Sequence, residues 1–304
     1  MLDLRRLEIL HRFASLGSIS AVAADMGYSP SAISQSLATL EKEVGIALLE
    51  RTAQRANLTD AGRVLVGHAG PILDAVEAAQ SEMLARAGTV AGRVDLSTIP
   101  GLAVTVAPFL AEVQRVHPAL TVVAHEIDST QAAAAVLDGR SDLAIVDDWN
   151  QETTEVASGL DVHLLRREPV VLAVPAGHEL ASRRSPVTVA VLRRLLETDT
   201  LLCAPLGQLS RTATDERLRS IGAAPVQRWE FEGLQVLASL VAAASGVALL
   251  PLTIADAEPG VVALELVPRM HRRVLAATRN TIRHDPAIQA CLDASRRAFE
   301  PRDG

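Results

Sequence analysis

Cysteine is almost missing from this sequence: Cys203 and Cys291 are the only two in 304 residues, and they lie far apart. That spacing offers neither a disulfide framework nor a metal-ligand cluster, and it fits a reducing cytoplasm. Lysine is scarcer still, with Lys42 alone, a bias toward arginine that reflects codon composition rather than function. An uncharged leader is also missing. Asp3, Arg5, Arg6, Glu8 and Arg12 charge the first twenty residues, against a secretory signal. One uncharged run, 233–255, approaches membrane-spanning length, but Gln235, Ser239, Ser245, Gly246 and Pro251 interrupt it. It reads as a short helix, a Ser-Gly turn and a buried strand, so no membrane is expected as a partner. The eight histidines show no metal-ligand spacing, so no metal and no cofactor are expected.

A basic character is missing as well. The formal net charge is −7, and residues 1–60 hold six basic side chains against seven acidic ones. Any nucleic-acid footprint in that stretch must therefore be local. Catalysis finds little support. Asp147 and Asp148 follow a strand and read as a solvated loop rather than an acid–base pair, and Cys203 sits within a buried strand pattern. No catalytic residue is assigned, and the chain is not read as an enzyme.

What is present begins with three short helices. Leu4, Leu7, Leu10 and Phe13 recur at helical spacing until Gly17. Ser18 can cap a second helix in which Ile19, Val22, Ala23 and Met26 share a face, and Gly27 breaks it. Ser29 then caps a third helix with Pro30 at its first position, where the missing N–H costs nothing. Ile33, Leu37, Leu40 and Val44 form its packing face, and Ser31, Ser34, Gln35, Ala38 and Lys42 the opposite one. This pattern predicts a helix-turn-helix. Residues 48–62 follow as strand, basic loop and strand, a wing with Arg51, Thr52, Gln54 and Arg55 at its tip.

From Thr59 to about Ala87 the sequence predicts one long amphipathic helix, capped by Thr59 or Asp60. Leu65, Ala69, Ile72, Val76, Ala79 and Met83 make a seam suited to a second helix from another copy of the chain, with Pro71 predicting a bend near residues 69–71. Beyond Gly88 strands and helices alternate. Strands are predicted at 94–98, 121–127, 142–146, 170–175, 200–205, 227–231, 247–251, 262–266 and 273–278, and a terminal helix near 286–299. The fold class is α/β overall.

The run from Ser18 to Gly62 resembles the N-terminal domain of LysR-type transcriptional regulators. The likeness lies in the helix-turn-helix, the Leu40–Glu41 pair, the wing entry of Gly45, Leu48 or Leu49, Arg51 and Thr52, and the LTDAG stretch at 58–62. The order of the remainder is similar too, with a linker helix and a GRVDLS strand opening an effector domain. The resemblance implies a winged helix-turn-helix over 1–59, a linker and dimerisation helix over 60–88, and a two-lobed effector domain over 92–304. That domain would be like a type 2 periplasmic binding protein, with lobe one at 92–163 plus 268–304 and lobe two at 164–267. It also implies a bacterial homo-oligomer, dimer or tetramer, that binds double-stranded promoter DNA and answers to a small molecule between the lobes. RNA polymerase is a further candidate partner.

On that pattern the N-terminal half of the third helix faces bases, through Ser31, Ser34 and Gln35, while the amides near Ser29–Ser31 favour a phosphate. Arg51 and Arg55 would grip backbone or minor groove. Two positions depart from the family: Pro30-Ser31 stands where many members have Gln-Pro, and Gln35 where they often have Arg. A softer, less salt-dependent contact is expected. The effector pocket would draw on Thr98, Ile99, Pro100 and Gly101, on Ser129 and Thr130, and on Gln208, Leu209 and Ser210. Amides at helix starts suit a carboxylate, so a small carboxylic acid with an apolar portion is the expected ligand.

Overall fold

A computed structural model describes residues 2–51, 56–149 and 158–300, residue 51 through its backbone alone. The chain divides into two compact units, Met1–Thr89 with Thr281–Pro286, and Val90–Asn280 with Ala287–Gly304.

The first unit opens with α1 (Leu4–Leu16), α2 (Ile19–Met26) and α3 (Pro30–Val44). Each has a side-chain cap at its start: Asp3 accepts from the Arg6 amide, Ser18 from Ala21 and Ser29 from Ala32. Each ends at a glycine, Gly17, Gly27 or Gly45, with the left-handed backbone that an L side chain resists. Leu10, Phe13, Val22, Ile33, Leu37 and Leu40 meet in one apolar core, each burial contributing roughly 1.5–3 kcal/mol. Val44 leaves the expected packing face: as the last residue of α3 it is exposed.

The wing follows as β1 (Leu49–Arg51) and β2 (Ala56–Leu58), paired antiparallel. The long helix α4 spans Asp60–Ala87 with Thr59 as its cap, and it runs through Pro71 as one element. Gly62, in the LTDAG stretch, lies so close to the wing that an added Cβ would stand 2.3 Å from the Leu48 carbonyl oxygen.

The second unit comprises β3 (Gly92–Thr98), a 3-10 turn (Pro100–Leu102), α5 (Ala103–Val116), β4 (Leu120–Glu126), α6 (Ala132–Leu137), β5 (Leu143–Asp148) and β6 (Leu160–Pro175). There follow β7 (Val187–Thr188), α7 (Val189–Leu195), β8 (Thr200–Cys203), α8 (Leu209–Ser220), β9 (Gln227–Glu230) and α9 (Leu234–Ala242). The last elements are β10 (Val247–Pro251), α10 (Leu252–Ala257), β11 (Val261–Leu264), β12 (Leu266–Val267), β13 (Met270–Arg279) and α11 (Pro286–Phe299).

Strand order in the main sheet is β4-β3-β5-β13-β6-β10-β8-β9, with β11 also on β6. One parallel set, β4, β3 and β5, and another, β10, β8 and β9, are joined through antiparallel β13 and β6. The sequence predicted only the apolar end of β6. Its first ten residues carry Asp161, His163, Arg166, Arg167 and Glu168, which hid the strand from a hydrophobic pattern. The β6–β13 ladder shifts register between Val274 and Leu275, leaving Leu165 as an extra residue on β6. Such a bulge bends and twists the pair where it crosses from one parallel set to the other.

The uncharged run 233–255 becomes α9, a turn and buried β10, and none of the helices among the described residues is long and apolar enough to cross a membrane.

Candidate nucleic-acid interface and ligand cleft

On α3 the apolar face is consumed by the core, so the polar face points outward. Ser29, Pro30, Ser31 and Gln35 are exposed and Ser34 is half-buried. The Ser29 hydroxyl, besides capping, lies 2.9 Å from that of Ser31. From its last turn α3 also anchors the wing. The Glu41 carboxylate accepts from the Leu48 and Leu49 amides at 2.9 and 3.0 Å, which fixes where β1 begins. Of the predicted wing contacts, the Arg51 backbone closes β1, while Thr52, Gln54 and Arg55 lie outside the described residues. The other arginines near this unit's start are engaged: Arg5 with Glu8, Arg6 with Glu43, Arg12 with Glu8 and Asp25, and Arg63 with Asp60. Lys42 is exposed.

Along α4 the predicted seam divides. Leu65 packs against the three-helix core and Ala69 is fully buried. Val76 is half-buried, whereas Ile72, Ala79 and Met83 stay exposed, as do Val64 and Leu84.

In the second unit a cavity of about 260 Å³ opens at the carboxyl ends of the parallel strands. Seven of the predicted residues line it: Ile99, Pro100 and Gly101 after β3, Ser129 after β4, and Gln208, Leu209 and Ser210 at the start of α8. Thr98 and Thr130 do not. Thr98 is buried inside β3, where its hydroxyl donates to the Ile145 carbonyl at 3.1 Å. Thr130 turns back on the chain and donates to Asp128 through hydroxyl and amide, at 2.6 and 2.8 Å. The Gln208 amide reaches the same carboxylate at 3.5 Å, and Gln235 donates to the Gly101 carbonyl at 3.3 Å, so two bonds cross the cleft.

Sequence reasoning missed Glu126, Asp128, Asp147, Trp149 and Glu232 in the lining. The usable signal was positional, because each follows or ends a strand of the two parallel sets. The solvated loop expected at Asp147 and Asp148 is not there. Both belong to β5, and Asp147 is buried among partners because it faces inward. Its Oδ2 accepts from Trp149 Nε1 at 2.8 Å and from Arg272 at 3.1 Å. Arg272, 2% exposed, also donates to Glu168 at 2.6 Å, and the Thr253 hydroxyl satisfies the other Glu168 oxygen. Asp148 pairs with Arg273. Burial pushes the Asp147 carboxyl above the usual carboxylate range, opposed by Arg272 and the indole.

Arg211, largely buried at the start of α8, is similarly engaged: it donates to the Ala204 carbonyl at 3.1 Å, to Glu230 at 2.6 Å and to Asp215 at 2.7 Å. Cys203 and Cys291 are both buried, and burial raises the Cys203 thiol above its ordinary value. Among the described residues no His, Cys, Asp and Glu cluster could hold a metal ion.

With this geometry in place, two family models match almost end to end: the bacterial regulatory helix-turn-helix of the lysR family over residues 4–63, and the LysR substrate binding domain over 87–300. The chain belongs to the LysR family of transcriptional regulators. LysR regulators bind DNA and small-molecule effectors and form oligomers, and they are not enzymes. A probable hydrogen peroxide-inducible genes activator from Mycobacterium xenopi is 33% identical over 179 residues, 58% of this chain and 92% of that protein. The dual regulator OxyR of Escherichia coli K12 is 27% identical over 282 residues, 90% of this chain and 88% of its own length. Among solved LysR structures, a full-length OxyR variant from Pseudomonas aeruginosa shares the fold. Its TM-score is 0.69 at 22% identity, over 97% of this chain and 95% of that one.

Proposed function

We propose that this LysR regulator reads promoter DNA with the amino-terminal half of α3. Ser31, Ser34 and Gln35 meet base edges, and the amides at Ser29–Ser31 meet a phosphate. Arg51, Thr52, Gln54 and Arg55 of the wing hold backbone or minor groove. The remaining α4 seam, Ile72, Val76, Ala79 and Met83, joins two copies, and a small molecule in the cleft beside Gly101, Ser129 and Ser210 modulates binding. RNA polymerase is a further partner in this reading, and the cytoplasm its place of action. On this reading the DNA-binding part is 1–59, the linker helix 60–88 and the ligand domain 92–304. One observation supports the reading above others: α3 buries Ile33, Leu37 and Leu40 on one face and presents a capped polar face opposite, while Glu41 ties it to the wing.

The test is selection of bound fragments from random duplex DNA by the purified protein. A two-fold-related motif is expected to be enriched, and Gln35→Ala to relax one base position by about 1–3 kcal/mol. Absence of any enriched sequence would overturn the reading. Because the described arginines are mostly paired with carboxylates, a shallow dependence of log K on log salt is also expected. Several relatives are named hydrogen peroxide-inducible genes activators, but a response to peroxide through the thiols is not favoured for this chain. Its two thiols are buried in β8 and α11, and for Cys203 burial lowers the thiolate fraction that oxidation needs.

A further inference from the structure

The charge of the cleft points away from the carboxylic acid that its helix starts suggested. Among the described residues four carboxylates line it, and of these only Asp147 has a guanidinium partner. Glu126 and Glu232 are exposed and, like Asp128, make no ion pair among the described residues. Asp128 is held below the usual carboxylate range by the Thr130 hydroxyl and amide, so it stays charged. Two arginines that touch lining residues are already paired with carboxylates. Arg272 is divided between Asp147 and Glu168, and Arg211 between Glu230, Asp215 and a carbonyl. Among the described residues an entering anion would find amides at the start of α8 but no unpaired cation in the lining, and three carboxylates around it. An entering cation would find those carboxylates with an apolar wall of Ile99, Pro100, Leu209 and Leu234 behind them. In a cleft partly shielded from water such charge complementarity decides which ligand is accepted.

We infer that the effector of this regulator is a small organic cation, an amine or amidine with an apolar body, neutralised by Glu126, Asp128 and Glu232. The inference rests on the reading that the cleft binds the effector. The space suits roughly ten non-hydrogen atoms, scaled from the about 150 Å³ cavity that accepts benzene. The ligand's ammonium or amidinium N–H groups donate to the carboxylates, and its carbon skeleton lies on the aliphatic side. Aromatic or aliphatic acids of the same size are excluded by repulsion rather than by shape.

Benzamidine and benzoate provide the test, having similar shape and opposite charge; phenethylamine and 1,4-diaminobutane extend the cationic set. Binding to the full-length protein is measured by calorimetry and by the shift in melting temperature. At least one cation is expected to bind saturably and benzoate not. Glu126→Gln combined with Glu232→Gln is expected to weaken the cation about tenfold or more. A cooperative melt of the double variant verifies its fold, and Gly101→Leu, which fills the cleft, should abolish binding. Benzoate binding that Gly101→Leu removes, with no cation bound, would overturn the charge assignment and leave the cleft reading intact. Cation binding unchanged in the glutamine variant would also overturn the assignment, and no binding by any of the four probes would overturn both readings.

Discussion

Glu41 in the recognition unit and Arg272 in the cleft unit perform similar structural work at different ranges along the chain. Glu41 satisfies two wing amides seven and eight residues ahead of it. Arg272 draws together Asp147 and Glu168, which lie 125 and 104 residues away. The first contact closes a short loop at small entropic cost and forms wherever α3 forms. The second exists only once β5, β6 and β13 stand side by side, and it then fixes how the two parallel sets meet at the back of the cleft. On the proposed function, DNA reading would depend on a local clasp and ligand binding on a long-range one.

The comparison breaks most readily at Arg272. Arg272→Met strands two buried carboxylates and is expected to cost about 3–5 kcal/mol, measured as a lowered urea midpoint. Restoring neutrality with Asp147→Asn and Glu168→Gln in the same chain should recover most of that loss. Glu41→Ala is smaller, about 1–3 kcal/mol, because it leaves the Leu48 and Leu49 amides without their acceptor. Its effect should appear in DNA affinity more than in cleft binding, and Glu41→Gln, which keeps an accepting oxygen, should be milder. Ser29→Ala removes one cap and should cost about 1 kcal/mol in thermal stability.

The smallest effect is expected at Asp128. Its folded-state carboxyl is depressed by Thr130, so its stabilising contribution is present above the ordinary carboxylate range and fades as pH falls through the depressed value. Asp128→Asn should therefore lower stability slightly at neutral pH and converge with the parent in acid, which flattens the acid limb of the stability profile. A full-sized acid limb in that variant would show that the Thr130 contacts do not matter to folding.

Range along the chain also explains what the sequence disclosed. The caps, glycine stops and heptad-like spacing of residues 1–89 act between neighbours, so α1 to α4 and the wing could be drawn from letters within a few positions of one another. Even there, the seam partition at Leu65 and Ala69 depended on packing against the three-helix core, which spacing does not reveal. In the second unit most strands announced themselves by apolar runs, but the charged half of β6 did not. The cleft was half legible: Ile99–Gly101 and Gln208–Ser210 follow recognisable strand-to-helix turns. Glu126, Asp147 and Glu232 are polar residues at strand ends whose convergence follows from sheet order alone. From the helix starts alone the sequence suggested a carboxylate ligand; with these acidic residues in the lining we infer a cation instead.

The two devices meet in one measurement: the dissociation constant for a selected operator duplex as benzamidine is titrated into the full-length protein and into the Glu126→Gln, Glu232→Gln variant. Expected is a change of several-fold in operator affinity for the unsubstituted protein that saturates with the cation, with the variant needing about tenfold more to reach it. Identical titrations for the two proteins, or an operator affinity that benzoate shifts and benzamidine does not, would contradict a cationic effector acting from this cleft.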